Sequence, residues 1–335
     1  MRGGRRGAAL CALLLAGALL GGCQLELDGL YALRLDHEPA EVEWRAAVPL
    51  RLLASGGRTS RPGDGDVDGN MVHASTASCH HGTKVPPVQV DLRAFYTAER
   101  LYLRVTWVDP TEDLGPSWRW DEAGWTAGSS REDGLGLLWG TEGRGFSCFA
   151  SCHLEDWRMA DPRAFADYRM AAPKGEVQDF WIWKAGRGGN GGMVEDARLN
   201  PEGRAGDVPG ELYVANSLRS RNEKPNPFGA GDVPWRAPDP DPTARAPAYL
   251  PRNPTPGWVE VDGSGGWVEG RWEVTLSRAL VPLGMDDREF REGGEYLFGV
   301  AVLDGVEKDH LAVPAPVRLI LVSRSTLAGD VGRLR

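Results

Sequence analysis

Histidine and cysteine are scarce in this chain, six and five among 335 residues, so each one matters when a site is sought. The sequence contains no Ser-His-Asp order, no phosphate-binding glycine loop and no carboxylate pair at an interpretable spacing, so an independent catalytic role finds no support. Beyond the N-terminus there is no second long apolar run, and convincing long amphipathic helices are missing as well. Positive charge is in deficit. With 38 Lys and Arg against 47 Asp and Glu, the formal net charge is −9, which argues against nucleic acid as a partner. What is plentiful instead is glycine (44), proline (24) and tryptophan (13), the composition of strands, turns and loops.

The N-terminus sets the expected compartment. Arg2, Arg5 and Arg6 form a basic start, residues 8–20 an apolar stretch too short to span a bilayer as a mature helix, and Leu20-Gly-Gly-Cys23 a small-residue cleavage site ending in cysteine. This resembles a bacterial lipoprotein signal, with an ordinary secretory signal as the alternative. The resemblance implies that residues 1–22, Cys11 among them, are removed and that Cys23 becomes the lipidated first residue. Gln24, rather than aspartate, then favours the outer membrane. The expected body is soluble, periplasm-facing and held at the membrane by lipid alone. Losing three arginines makes the body more acidic still, which suits a positively charged redox partner. About 310 residues remain, enough for a substantial core.

Residues 23–40 read as lipid anchor and tether, and residues 41–325 as the folded domain. Apolar residues are dense over 42–53, as in a half-buried strand. Residues 58–70 are rich in Gly and Asp; Asp64, Asp66 and Asp68 alternate as in a calcium loop, but the bidentate glutamate is missing and a solvated turn explains them better. Val88-Gln-Val-Asp-Leu-Arg-Ala-Phe-Tyr and Leu101-Tyr-Leu-Arg-Val-Thr-Trp alternate with period two around a turn and predict an antiparallel pair. The run Gly134-Leu-Gly-Leu-Leu-Trp139 predicts a buried strand. Residues 186–257 are dominated by Gly, Pro, Asp, Arg and Asn and read as a loop insert with one short strand candidate at 211–215. A hairpin is predicted around Trp258 to Arg278, and last strands over 296–303 and 317–322. The predicted fold is all-β, an antiparallel sandwich with long loops enclosing a site.

The chemistry is concentrated in Cys148-Phe-Ala-Ser-Cys152-His153, with Met159 a turn or two further on and Asp179-Phe-Trp-Ile-Trp-Lys184 beyond it. Two thiols, an imidazole and a thioether are a compact set of soft iron ligands. Covalent haem attachment uses two cysteines followed directly by histidine, usually as C-x-x-C-H; one extra residue stands between the cysteines here. The same pair also suits a small disulfide loop or a zinc or copper site. With Cys23 lipidated, Cys79, Cys148 and Cys152 remain, an odd number in an oxidising compartment, which tilts the reading toward haem. Thr76-Ala-Ser-Cys79-His80-His81 looks like a haem attachment motif whose first cysteine is threonine. Cys79 is thus either a second attachment point or a loop cysteine, and His80 and His81 are candidate distal ligands. A copper or zinc protein built on these residues is a further reading.

The succession Leu101-Tyr-Leu-Arg-Val-Thr-Trp-Val-Asp-Pro110, Cys-x-x-x-Cys-His with Met159, Asp179-Phe-Trp-Ile-Trp-Lys-Ala185, Gly270-Arg-Trp-Glu-Val-Thr-Leu-Ser-Arg278 and Val-Leu-Asp-Gly305 resembles the ethylbenzene-dehydrogenase-related haem-binding domain over roughly residues 40–322. This is the fold of the γ subunits of the ethylbenzene and dimethylsulfide dehydrogenase type. The resemblance implies a β-sandwich holding one haem between loops at one end, with methionine and lysine as axial ligands of a b-type haem. Met159 falls in the region of the methionine, and His310, two residues past Lys308, near that of the lysine. Relatives with the cysteine pair often carry histidine between the two tryptophans, where this chain has Ile182. Two arrangements follow. In the favoured one, Cys148 and Cys152 bind a c-type haem, His153 is proximal, and Met159, His310 or one of His80 and His81 is distal. In the other, Met159 and His310 hold haem b, and the two cysteines form a disulfide. Trp181, Trp183 and Lys184 are expected beside the cofactor, Lys184 paired with a carboxylate or propionate rather than with iron. The expected role is an electron-carrying lipoprotein, an accessory to an oxidoreductase rather than an enzyme. The competing role is a sandwich that binds carbohydrate or another non-haem ligand, with a structural Cys148–Cys152 disulfide and tryptophan platforms.

Overall fold

The computed structural model describes residues 27–54, 86–115, 117–121, 124–127, 131–140, 172, 175–187, 193–201, 203–206, 213–215, 245–247, 249–251, 260–284, 287–305, 311–313 and 315–323. Strands dominate it, and the described helix is a single six-residue one, α1 (Glu41–Ala46). Among the described residues no helix is long and apolar enough to cross a membrane.

Two sheets face each other and share a strand. The first runs β10 (Gly203–Gly206), β9 (Met193–Asn200), β8 (Gln178–Lys184), β7 (Gly134–Trp139), β16 (Glu295–Leu303), β18 (Val317–Leu321), β1 (Leu30–Arg34). From β1 the second continues through β3 (Val88–Tyr96), β4 (Arg100–Val108), β15 (Arg271–Ala279) and β14 (Val261–Trp267). Short strands β2 (Leu50–Ala54) and β17 (Leu311–Ala312) pair with β3 and β16. Small satellite sheets join β5 (Ser117–Asp121), β6 (Gly124–Ala127) and β12 (Arg245–Pro247), and β11 (Tyr213–Ala215) with β13 (Tyr249–Pro251). The all-β sandwich expected from the sequence is what forms. Most of its pairings are antiparallel, but β1 runs parallel to both β18 and β3, so the sheet is mixed.

The period-two pattern explains the best-defined strands. β15 buries Trp272, Val274, Leu276 and Arg278 and turns the residues between them outward. The β14–β15 turn has Glu269 at φ 51° and Gly270 at φ 79°, the left-handed pair that a two-residue hairpin connection requires. The sheets meet over Trp183. Its indole lies against Gly263 and Gly265 of β14, where any Cβ would collide with Val194 or with the ring itself. Trp183 also packs edge-on to Trp272 at 5.2 Å and Trp107 at 6.4 Å.

Three sequence expectations change. The stretch read as tether contains β1, whose Leu30 and Ala32 are core residues, so a tether from Cys23 has only the residues before β1 to use. Residues 42–53 divide into α1 and β2. Glu41 and Glu43 in the first turn and Arg45 in the last suit the helix dipole, Glu43 caps the Ala40 amide at 2.8 Å, and the buried Trp44 packs on Phe95 at 5.0 Å. Within 186–257, β11 matches the one predicted strand, but β9 and β10 add a hairpin to the first sheet. β9 escaped the sequence reading because buried Glu195 and Asp196 interrupt its apolar positions.

Candidate functional site

The strand directions define two ends of the sandwich. β7 starts beside Asp133, opposite Lys184 and Leu303, and finishes at Trp139, opposite Phe298. These ends stand ~17–20 Å apart, the length of a six-residue strand.

The segment carrying Cys148, Cys152, His153 and Met159 lies outside the described residues, but both its roots are at the Trp139 end. Gly140 donates to the Leu297 carbonyl at 2.9 Å, and Ala172 donates to the Asn200 carbonyl at 3.0 Å. Cys79, His80 and His81, also outside the described residues, belong to a segment that leaves Ala54 and returns at Val88. Those two residues pair with each other, one step from the level of Trp107 and Asp109, and so root it at the Asp133 end. His310 and Cys23 are likewise outside the described residues. His310 directly precedes Leu311, which is fully buried and pairs with Val302 at the Asp133 end. The candidate ligands therefore divide between the ends according to where their segments begin.

Trp181, Trp183 and Lys184 are described, and they face opposite ways. Trp181 and Trp183 point into the space between the sheets, whereas Phe180, Ile182 and Lys184 occupy the other face of β8, because side chains alternate along a strand. That outer face is buried too. Leu138, Phe180, Ile182 and Leu199 cluster there with Ala172, the residue on which the Cys148–Met159 segment returns. Next to them Gly136 presents no side chain, and a Cβ there would already be 3.4 Å from the Phe180 ring. Ile182 is on this face. Lys184 completes it. Its ammonium is 3.4 Å from Glu195, which also binds Arg187 at 3.2 Å, and Arg187 reaches Glu132 at 3.2 Å. Lys184 is thus paired with Glu195, on the face of β8 opposite Trp181 and Trp183.

Two further clusters of charge were not picked out by the sequence reading. Inside the Trp139 end, Arg278 has no exposed surface; its guanidinium carbon sits 4.8 Å over Trp181 and 5.1 Å over Phe290. Its Nη1 donates to Asp179 at 2.5 Å and lies 3.6 Å from Asp287, while Nε and Nη2 have no acceptor. Burial pushes the Asp179 carboxyl up from the usual range, against the pull of Arg278. Carboxylate oxygens of Asp179, Asp196 and Asp287 lie within 4.8 Å of one another.

At the Asp133 end, Asp133 is fully buried and accepts from Gly305 N at 2.8 Å, Asp113 N at 2.7 Å and Trp272 Nε1 at 3.0 Å. Burial, aided by the Asp109 charge, pushes its carboxyl up to about 7. Asp109 is 2% exposed; its Oδ1 accepts from Thr111, and its Oδ2 has no donor. Burial raises its carboxyl as well, with Asp304 and Asp113 adding to the effect. Aspartates give no periodic signal, so these residues came to notice only through the Val-Asp-Pro110 and Asp-Gly305 turns.

A protein-family model described as ethylbenzene dehydrogenase matches residues 70–312. None of the curated proteins matches the chain. Similar solved structures include a family 9 carbohydrate-binding module from Caldicellulosiruptor kristjanssonii in complex with glucose, at 7% identity and TM-score 0.33, covering 88% of this chain and 96% of that one. A putative carbohydrate-binding protein from Bacteroides uniformis also stands at 7% identity and TM-score 0.33, covering 87% and 97%.

Proposed function

Because the chain belongs to the ethylbenzene dehydrogenase family, we propose that it is a haem-carrying electron-transfer lipoprotein of the cell envelope. It passes single electrons between a partner oxidoreductase or cytochrome and the respiratory chain. The observation that carries this reading is that one family match encloses Cys148, Cys152, His153, Met159 and His310, a set of thiols, thioether and imidazoles suited to haem iron. Bound there, haem supplies a one-electron ferric–ferrous couple.

The described frame suits such a group. The outer face of β7, β8 and β9 is apolar around Phe180, Ile182 and Leu199, and the segment bearing the cysteines returns onto it at Ala172. An apolar, water-poor wall of this kind tunes a redox potential. His153 and Met159 share a segment rooted at one end, so covalent attachment through Cys148 and Cys152 needs no ligand from the other end. Pairing Met159 with His310 joins segments rooted at opposite ends; the twelve residues or so between Met159 and Ala172 extend to ~40 Å, long enough to make that crossing. The one-segment arrangement is the simpler, and it favours c-type haem. Lys184, engaged by Glu195, keeps its place as an ion-pair residue. A lipid on Cys23 would hold the domain close to its membrane, because β1 begins at Leu30, ~20–25 Å of extended chain away.

The test is a pyridine haemochrome spectrum of the full chain, expressed with haem supply and a c-type maturation system, before and after acid-acetone extraction. Colour that stays with the polypeptide is the expected result. Colour that is extracted replaces the covalent arrangement with Met159 and His310. A colourless protein overturns the haem reading and leaves the ligand-binding sandwich in its place.

A further inference from the structure

Three loops meet at the Asp133 end. One follows β4 and carries Asp109 and Asp113, one precedes β7 and carries Asp133, and one follows β16 and carries Asp304. Carboxylate oxygens of Asp109, Asp133 and Asp304 lie within 4.8 Å of one another. Two oxygens on opposite sides of a calcium ion at ~2.4 Å stand about as far apart. Proximity alone assigns nothing, since acidic groups often gather without an ion. The added observation is Asp109 Oδ2, an acceptor on a side chain 98% withdrawn from solvent that no hydrogen bond reaches. A buried carboxylate oxygen without a partner is costly.

The local cation does not supply what is missing. Arg131 binds Asp113 at 3.0 Å and Asp304 at 3.1 Å from the outside, with half its side chain in solvent, and none of its described contacts is to Asp109. The corresponding acidic group at the other end, Asp179, Asp196 and Asp287, has Arg278 buried among its carboxylates. We propose that Asp109, Asp133 and Asp304 bind a hard divalent cation, calcium in preference to magnesium, which clamps the three loops together. Carboxylates from three separate loops form the irregular, all-oxygen shell that calcium accepts, whereas magnesium demands near-ideal octahedral geometry and keeps its waters. The upward shift of Asp133 marks charge that such an ion would offset. The site is distinct from the proposed haem face and stands or falls independently of it.

Trp272 provides the probe, because its indole nitrogen is 3.0 Å from Asp133 Oδ2. Terbium, a luminescent stand-in for calcium, is titrated into the EDTA-stripped full chain with tryptophan excited. Saturable sensitised emission is expected, displaced by calcium at far lower concentration than by magnesium. Trp272→Phe should cut the emission several-fold. Asp109→Asn should weaken terbium and calcium binding at least tenfold, yet raise the thermal midpoint of the metal-free protein by relieving repulsion. Absence of saturable emission overturns the proposal, as does Asp109→Asn binding like the parent. Loss of binding in a D64N/D66N/D68N variant instead overturns it by moving the ion to the glycine-rich loop.

Discussion

The two ends of the sandwich hold the same ingredient in different settings. Each gathers three aspartates, two of them buried, with carboxylate oxygens within 4.8 Å. At the Trp139 end the counter-charge is part of the chain: Arg278 lies between Trp181 and Phe290 and binds Asp179 and Asp287. At the Asp133 end the carboxylates rely on backbone amides, the Trp272 indole and a half-exposed Arg131. A buried ion is tolerated only when something nearby offsets its lost hydration. One end carries a counter-charge within the chain and should depend less on the medium. The other takes it partly from outside and should respond to protons and cations.

Removing the internal counter-charge is the hardest blow to this contrast. Arg278→Met leaves the buried Asp179 carboxylate without its guanidinium and should cost about 3–5 kcal/mol in guanidinium unfolding. Adding Asp179→Asn to it should recover part of the loss. If Arg278→Met is neutral, the guanidinium is no counterion and the two ends do not differ as argued. Next in size is the joint between the sheets. Gly265→Val drives a side chain into the Trp183 indole and should cost about 1–3 kcal/mol, read as a lower unfolding midpoint. Because Trp183 packs on Trp272, which donates to Asp133, calcium affinity should fall as well.

The strands that the sequence showed clearly were those whose apolar residues alternate without interruption: β3, β4, β7, β15 and β16. β1 was hidden because five residues of Leu-Tyr-Ala-Leu-Arg, following a stretch read as a signal, look like linker, and only pairing with β18, nearly 300 residues later, makes them core. β9 was hidden because its buried positions include charges on both faces whose partners come from other segments: Glu195 meets Arg187 and Lys184, and Asp196 accepts the Glu260 amide. The candidate ligands were legible as chemistry, since thiol, imidazole and thioether stand out in any sequence. The buried charges were not. Arg278 reads as the last residue of an alternating strand, and its burial depends on Asp179 arriving from the facing sheet.

A smaller effect tests the responsive end by pH. Asp133 has a folded pKa of about 7 against 3.8 for the free group, so the folded state binds its proton more tightly. Its contribution is therefore full below about pH 4, falls as pH rises through 7 and is absent above. Asp109, Asp113, Asp304, Glu132 and Arg131 surround it, and burial raises the carboxyls of Asp109 and Glu132 in the same direction. Thermal midpoints of the EDTA-treated protein should thus decline between about pH 5 and 8. Saturating calcium should flatten that decline by favouring the ionised form. A midpoint that rises over this range would mean that Asp133 is stabilised as the anion by its three N–H donors alone.

The smallest expected effect concerns Lys184, which belongs to the outer face proposed for haem yet lies at the Asp133 end. Its partner Glu195 also holds Arg187 at 3.2 Å, so Lys184→Met strands no carboxylate and should cost only about 1 kcal/mol. The haem spectrum should not move, because the ammonium is taken up by a carboxylate and the methionine keeps the apolar stem. Should the variant instead lose haem or shift its visible bands, Lys184 would be serving the cofactor. The haem face would then extend the full length of β8, from Phe180 to Lys184, and an axial partner from the segment of His310 would become the economical arrangement.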